Sequence, residues 1–126
     1  MREHILAHLG AQGFGDIAVS HPIIMAATRL DPDNAWVRMT LASIARSTGQ
    51  TPVLLPNLGG SLPNDVFADI LGLPTVWIPH SYPACSQHAP NEHVLSALMR
   101  EGLTMTAALL WQVGEQAATL PRRLRG

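Results

Sequence analysis

The residues best suited to chemistry fall in two short stretches. In Gln87-His88-Ala89-Pro90-Asn91-Glu92 an imidazole stands four residues before a carboxylate. Imidazole ligates zinc well when its second nitrogen is held by a carboxylate or a carbonyl. One histidine cannot fill a zinc coordination sphere, and neither Cys-x-x-Cys nor His-Glu-x-x-His occurs in the chain. A loop histidine of this kind also serves as a plain surface residue. The second stretch is Gly59-Gly60-Ser61, which follows an apolar run. Paired glycines let backbone approach a ligand, and N–H groups at the start of a following helix favour an anion. The stretch is not a P-loop, because the Gly-Lys-Ser/Thr ending is missing. The spaced third glycine of a dinucleotide fingerprint is absent too. The same glycines also suit an ordinary tight turn.

Three further residues could take part. His80 follows an apolar run and could face a cleft. His93 lies near a predicted helix start, where a cation opposes the helix dipole, so a neutral structural or exposed ring is expected. Cys85 is the single cysteine, which rules out an intramolecular disulfide and suits a reducing compartment. A thiol nucleophile needs a base and an oxyanion arrangement, and no such third group stands out.

The elements that must position these residues can be read from spacing. Ile5, Leu6 and Leu9 share a helical face over 2–12, stopped by Gly13 and Gly15. Ile17-Ala18-Val19 reads as a short strand, Ser20-His21-Pro22 as a break, and 23–27 as an extended apolar run. Asp31-Pro32-Asp33-Asn34 is a helix start, with Trp36, Val37, Leu41, Ile44 and Ala45 at helical spacing and Gly49 as the stop. Val53-Leu54-Leu55, between Pro52 and Pro56, reads as a buried strand. Ser61 would cap a helix with Pro63 in its first turn, running through Val66, Phe67, Ile70 and Leu71 to Gly72. Thr75-Val76-Trp77-Ile78 reads as another strand. Asn91 would cap the longest helix, to about Gly114, with Val94, Leu95, Leu98, Met99, Leu109 and Leu110 on its buried stripe.

Strands alternating with helices predict an α/β protein with a mostly parallel sheet. Ligands of such sheets sit beyond the carboxyl ends of the strands. The loops 56–61 and 79–90 would leave two such ends, and they hold Gly59, Gly60, Ser61 and His88.

Composition narrows the partners. The chain has 126 residues, the length of one domain, with 47% apolar and only 13% charged residues. That excludes intrinsic disorder. It is also dry beside the charged share of about 25% usual for soluble domains, which points to self-association or cover by other protein. The net charge of −1 argues against a nucleic-acid surface. All eight basic residues are arginine, and Arg122, Arg123 and Arg125 cluster in a tail expected to be solvated. No signal peptide and no membrane-spanning run is evident, so a cytoplasmic location is expected.

Four segments in order resemble the C-terminal part of the cocatalytic dizinc metallopeptidase family. That family includes carboxypeptidase G, acetylornithine deacetylase, succinyl-diaminopimelate desuccinylase and aminoacylase. The segments are Thr28-Arg29-Leu30-Asp31-Pro32-Asp33, Gly59-Gly60-Ser61-Leu62-Pro63, Phe67 with Leu71-Gly72-Leu73-Pro74, and His88-Ala89-Pro90-Asn91-Glu92. His8-Leu9 and Gly13-Phe14-Gly15-Asp16-Ile17 are similar to the helix and strand that close the family's inserted lid.

The resemblance implies part of an aminopeptidase-like three-layer fold, preceded by the last helix and strand of a ferredoxin-like lid. Residues 1–22 would be the lid remnant, 23–114 the end of the catalytic domain and 115–126 a tail. It further implies two zinc ions, or cobalt or manganese, in the complete enzyme, with a small peptide or an N-acyl amino acid as substrate. His88 would be a metal ligand. Gly59, Gly60 and Ser61 would bind substrate, and Asn91 and Glu92 would shape the loop as cap and second shell.

The family's His-x-Asp motif, its Glu-Glu pair with the general base and its further acidic ligand are absent from this sequence. No catalytic residue is therefore expected in this chain. Alone it should be inactive and bind metal weakly or not at all. The other reading is a non-catalytic α/β remnant that serves oligomerisation or partner binding.

Overall fold

A computed structural model describes residues 2–20, 25–60 and 62–123. His21, Pro22, Ser61, Arg125 and the first half of the 23–27 run lie outside the described residues.

Helix α1 spans Arg2–Ala11. It ends where its sequence says it should. Gly13 takes φ +81°, Phe14 N–H reaches the Leu9 carbonyl at 2.9 Å, and Gly13 N–H reaches Gly10 at 3.2 Å. Those two bonds satisfy carbonyls that the helix leaves open. None of its residues is buried, and among the described residues it packs against no other helix.

Helix α2 spans Ala35–Thr48. The Asn34 side chain accepts from Trp36 N–H at 2.9 Å, and Asp31 holds the approach by accepting from Asp33 N–H at 2.9 Å. Gly49, at φ +72°, closes the other end with N–H to the Ala45 carbonyl at 3.0 Å. Start and stop thus match the sequence expectation. The buried residues are Val37, Met39, Thr40 and Ser43, while Leu41 and Ile44 are only half-buried.

Helix α3 spans Ser96–Gln116 and begins well after Asn91. Its N-cap position is Leu95, which offers no side-chain cap, while Asn91 sits upstream in a left-handed conformation. The buried face of α3 carries Gly102 and Met105. Met99 and Leu110, expected on the buried stripe, are exposed at 55% and 70%.

The core is the contact of α2 with α3, the one helix pair that packs together among the described residues. Val37, Met39 and Met105 are buried in the molecule. Arg46 hydrogen-bonds the Gln112 side chain between the two helices. The segment after α3 is docked as well. Trp36 Nε1 donates to the Pro121 carbonyl at 2.7 Å, and Leu120 is buried. This part of the expected tail belongs to the packed unit.

The expected mostly parallel α/β sheet is not formed. The molecule is helical, and no strand occurs among the described residues. The stretches 17–19, 53–55 and 75–78 have no regular structure. The physical reason is pairing: a strand exists only where a neighbour takes its N–H and C=O groups. Prolines 52, 56, 74 and 79 flank two of these runs and supply no N–H. The aminopeptidase-like layers and the lid strand are corrected together with the sheet. The expected helix through Val66 and Leu71 is also reduced. It is a short π-helical turn, Val66–Ile70, with no buried residue, ended by Gly72 at φ +64°. No helix among the described residues is long and apolar enough to cross a membrane.

Candidate functional site

The loop that carries His88 is made of turns. Cys85 N–H donates to the Tyr82 carbonyl at 3.0 Å, Ala89 N–H to Ser86 at 2.9 Å, and Glu92 N–H to Ala89 at 3.3 Å. His93 N–H reaches back to the Cys85 carbonyl at 3.0 Å and closes 85–93 on itself. Ser86, His88 and Asn91 all take positive φ, at 58°, 62° and 63°. Non-glycine residues adopt this conformation uncommonly, although asparagine and histidine are several-fold enriched in it. Backbone held this way costs on the order of 1–3 kcal/mol per residue and persists only where its surroundings fix it. Here the turns and the buried Cys85 fix it.

His88 itself is exposed. Its backbone N–H donates to Glu92 Oε2 at 3.3 Å, so Glu92 holds the backbone of His88. Asn91 turns the chain and offers its carbonyl to His93 Nδ1 at 2.8 Å. His93 Nε2 in turn meets the Tyr82 hydroxyl at 2.6 Å. Tyr82 and His93 form a pair that sequence spacing does not announce, because only closure of the loop brings them together. His93, expected to be structural or exposed, is exposed and makes both of these ring contacts.

A cavity of about 340 Å³ lies beside the loop, lined by His80, Ser81, Cys85, Glu92, His93 and Val94. His80 lies over α3 where Gly102 leaves room. A Cβ on Gly102 would stand 3.0 Å from His80 Nδ1 and 3.1 Å from Cε1. The missing side chain at Gly102 is thus what seats His80. Cys85 is a free, buried thiol and anchors the loop through its backbone.

Gly59 and Gly60 are exposed and lie outside that cavity. Neither takes a positive φ, and a Cβ on either would meet nothing within 4 Å. Nothing among the described residues therefore demands glycine there. Nearby, Asn64 Nδ2 donates to Thr28 Oγ1 at 2.6 Å. That bond joins the Thr28-Arg29-Leu30 segment to the chain just past the glycine pair. Asn64 Oδ1 is buried without a partner among the described residues, a cost of about 1–3 kcal/mol when nothing bonds it. Sequence reading missed Asn64, although it stands beside Pro63 in the glycine motif.

The residues do not build a metal centre alone. Among the described residues no group of three or more His, Cys, Asp or Glu is placed to hold a metal ion. His4 and His8 stand one turn apart on α1, both exposed, and among the described residues no third donor joins them there. No family model, no curated protein and no solved structure matches this chain.

Proposed function

We propose that this chain is the C-terminal portion of a metal-dependent hydrolase that cleaves amide bonds of N-acyl amino acids or small peptides. In that role His88 supplies one metal ligand to a centre whose other ligands and general base lie outside these residues. Gly59, Gly60 and Ser61 belong to the substrate loop, and Asn91 and Glu92 shape the turn that presents His88.

The observation that carries the reading is the presentation of His88. An exposed imidazole sits on a left-handed residue, its backbone N–H held by Glu92, inside a loop closed at both stems. The fixing acts on the His88 backbone, and a site built on a held backbone is what a metal ligand needs. The open backbone around Gly59 and Gly60 suits a surface that something outside the chain approaches. The residues present do not fit a two-metal site by themselves, so no reaction step is assigned to this chain alone.

The test uses the polypeptide or complex that joins residues 1–126 to the His-x-Asp and Glu-Glu regions. His88→Ala there should abolish amide hydrolysis and remove about one metal ion per subunit. Unchanged rate and metal content would refute the role.

A second reading is favoured by exposed apolar side chains. Val53, Leu58, Leu103 and Trp111 are each at least 73% exposed. Such surface marks association, and a module that only oligomerises would use it. That reading predicts association of the 126-residue chain, with His88→Ala leaving every property unchanged.

A further inference from the structure

We infer that the outer face of α3 joins two copies of this chain, which pack α3 against α3 in antiparallel fashion about a two-fold axis near Ala107. The inference is independent of the role of His88.

Helix α3 spends one side on the core and leaves the other open. Gly102 and Met105 face inward, while Met99, Leu103, Leu110 and Trp111 are each at least 55% exposed. At about 100° per residue these four fall on one continuous face with Ala107 and Gly114. Ala107 is exposed, and a Cβ on Gly114 would meet nothing within 4 Å, so a second helix can approach closely there. The four large side chains present roughly 500–600 Å² to water. Two copies closed on this face remove about twice that, and the flanking residues bring it to the lower range of specific interfaces, about 1,200 Å².

The charges select a second copy as the occupant. Arg100 stands near one end of the face and Glu115 near the other, both exposed. They lie about four turns apart along the helix and only about 60° apart around it, so they share one flank. A two-fold axis at Ala107 then sets Arg100 of each copy opposite Glu115 of the other. Leu103 meets Leu110 and Trp111 of the other copy, and Met99 lies over Gly114. A parallel pairing would instead set Arg100 on Arg100 and Glu115 on Glu115. A membrane surface fits less well, because helices that lie on lipid are rich in Lys and Arg, and α3 carries one arginine against two glutamates. The exposed stretch 53–58 has no charge, so it fixes no register of its own.

The test is sedimentation equilibrium of the 126-residue chain in a Val53→Asp background, which keeps contact through 53–58 from masking the result. A dimer with a dissociation constant of about 1–100 μM is expected, weakening as salt rises. Leu103→Glu should weaken it at least about 30-fold, with the monomer's unfolding midpoint unmoved. Arg100→Glu and Glu115→Arg should each weaken it about tenfold, since two symmetric pairs reverse at once, and the double variant should recover most of the loss. Spin labels then read the direction, because Cys85 is buried and takes no label in the folded chain. Labels at Ala107→Cys should lie within about 15 Å of each other, and labels at Ser96→Cys roughly 33 Å apart, at about 1.5 Å of rise per residue.

A chain that stays monomeric up to about 1 mM would overturn the proposal. So would association that ignores Leu103→Glu and both charge reversals, or labels closer at 96 than at 107. Binding of a monomeric chain to phosphatidylserine–phosphatidylcholine vesicles, lost in Leu103→Glu, would assign the face to lipid and overturn it too.

Discussion

Helix α2 and the run Val53-Leu54-Leu55 are both apolar, yet they end in opposite states. The helix has Asn34 at its start, Gly49 at its end and α3 along its side, and Val37 is 4% exposed. The run lies between two prolines, forms no ladder, and leaves Val53 83% exposed. The difference lies in where backbone hydrogen bonds are made. A helix satisfies its own N–H and C=O groups and needs a partner only for one face. A strand needs a partner for every group. The α2–α3 unit finds both inside the chain, whereas 53–55 and 75–78 do not. Under the proposed function, the missing partner is the rest of the enzyme.

The sharpest way to break this comparison is to attack the packed side. Met105→Ala, at the buried face of α3, should cost about 2–4 kcal/mol in denaturant unfolding. A loss below about 0.5 kcal/mol, the level of ordinary surface changes, would mean that α2 and α3 are no core.

The next largest effects lie at the ends of α2. Asn34→Ala removes the acceptor for Trp36 N–H and should cost about 1 kcal/mol. Gly49→Ala places a Cβ at φ +72° and should cost a similar amount, about 1 kcal/mol. Both are read from unfolding midpoints at unchanged slope.

Gly102→Ala probes the seam between the packed unit and the loop. Alanine favours helix by about 1 kcal/mol, but its Cβ meets the His80 ring at 3.0 Å. The expected result is a displaced His80, seen as shifted ring signals, with little net stabilisation. The pair Gly102→Ala, His80→Ala should recover the helix gain.

The smallest stability effect is expected on the open side. Val53→Asp should change stability by no more than about 0.5 kcal/mol, because the side chain touches little. It should nevertheless reduce self-association in sedimentation, where apolar patches drive contact. A large destabilisation would show that 53–55 is packed after all.

Legibility in the sequence follows the same division. The start of helix α2 could be read to within a few residues and its stop at Gly49, because Asp31, Asn34 and Gly49 act locally. The stop of α1 at Gly13 was legible for the same reason. The sheet was not, because apolar runs such as Thr75-Val76-Trp77-Ile78 carry no information about who pairs with them. Asn91 misled the start of α3. Asparagine suits an N-cap and a left-handed turn alike, and the turn won here, with His93 bonded to its carbonyl. His88 and Glu92 came from the resemblance, as ligand and second shell, and the contact of the Glu92 carboxylate with the His88 backbone N–H was not foreseen. Tyr82 was not legible, since its partner is set by a loop closure that local pattern does not encode. Asn64 and its orphaned oxygen depend equally on a distant residue, Thr28.

The most direct test of the account is the metal content of the complete assembly with and without His88. Residues 1–126, joined to the His-x-Asp and Glu-Glu regions, should hold two metal ions, and His88→Ala should hold about one and lose amide hydrolysis. Two ions and full activity retained in His88→Ala would contradict it.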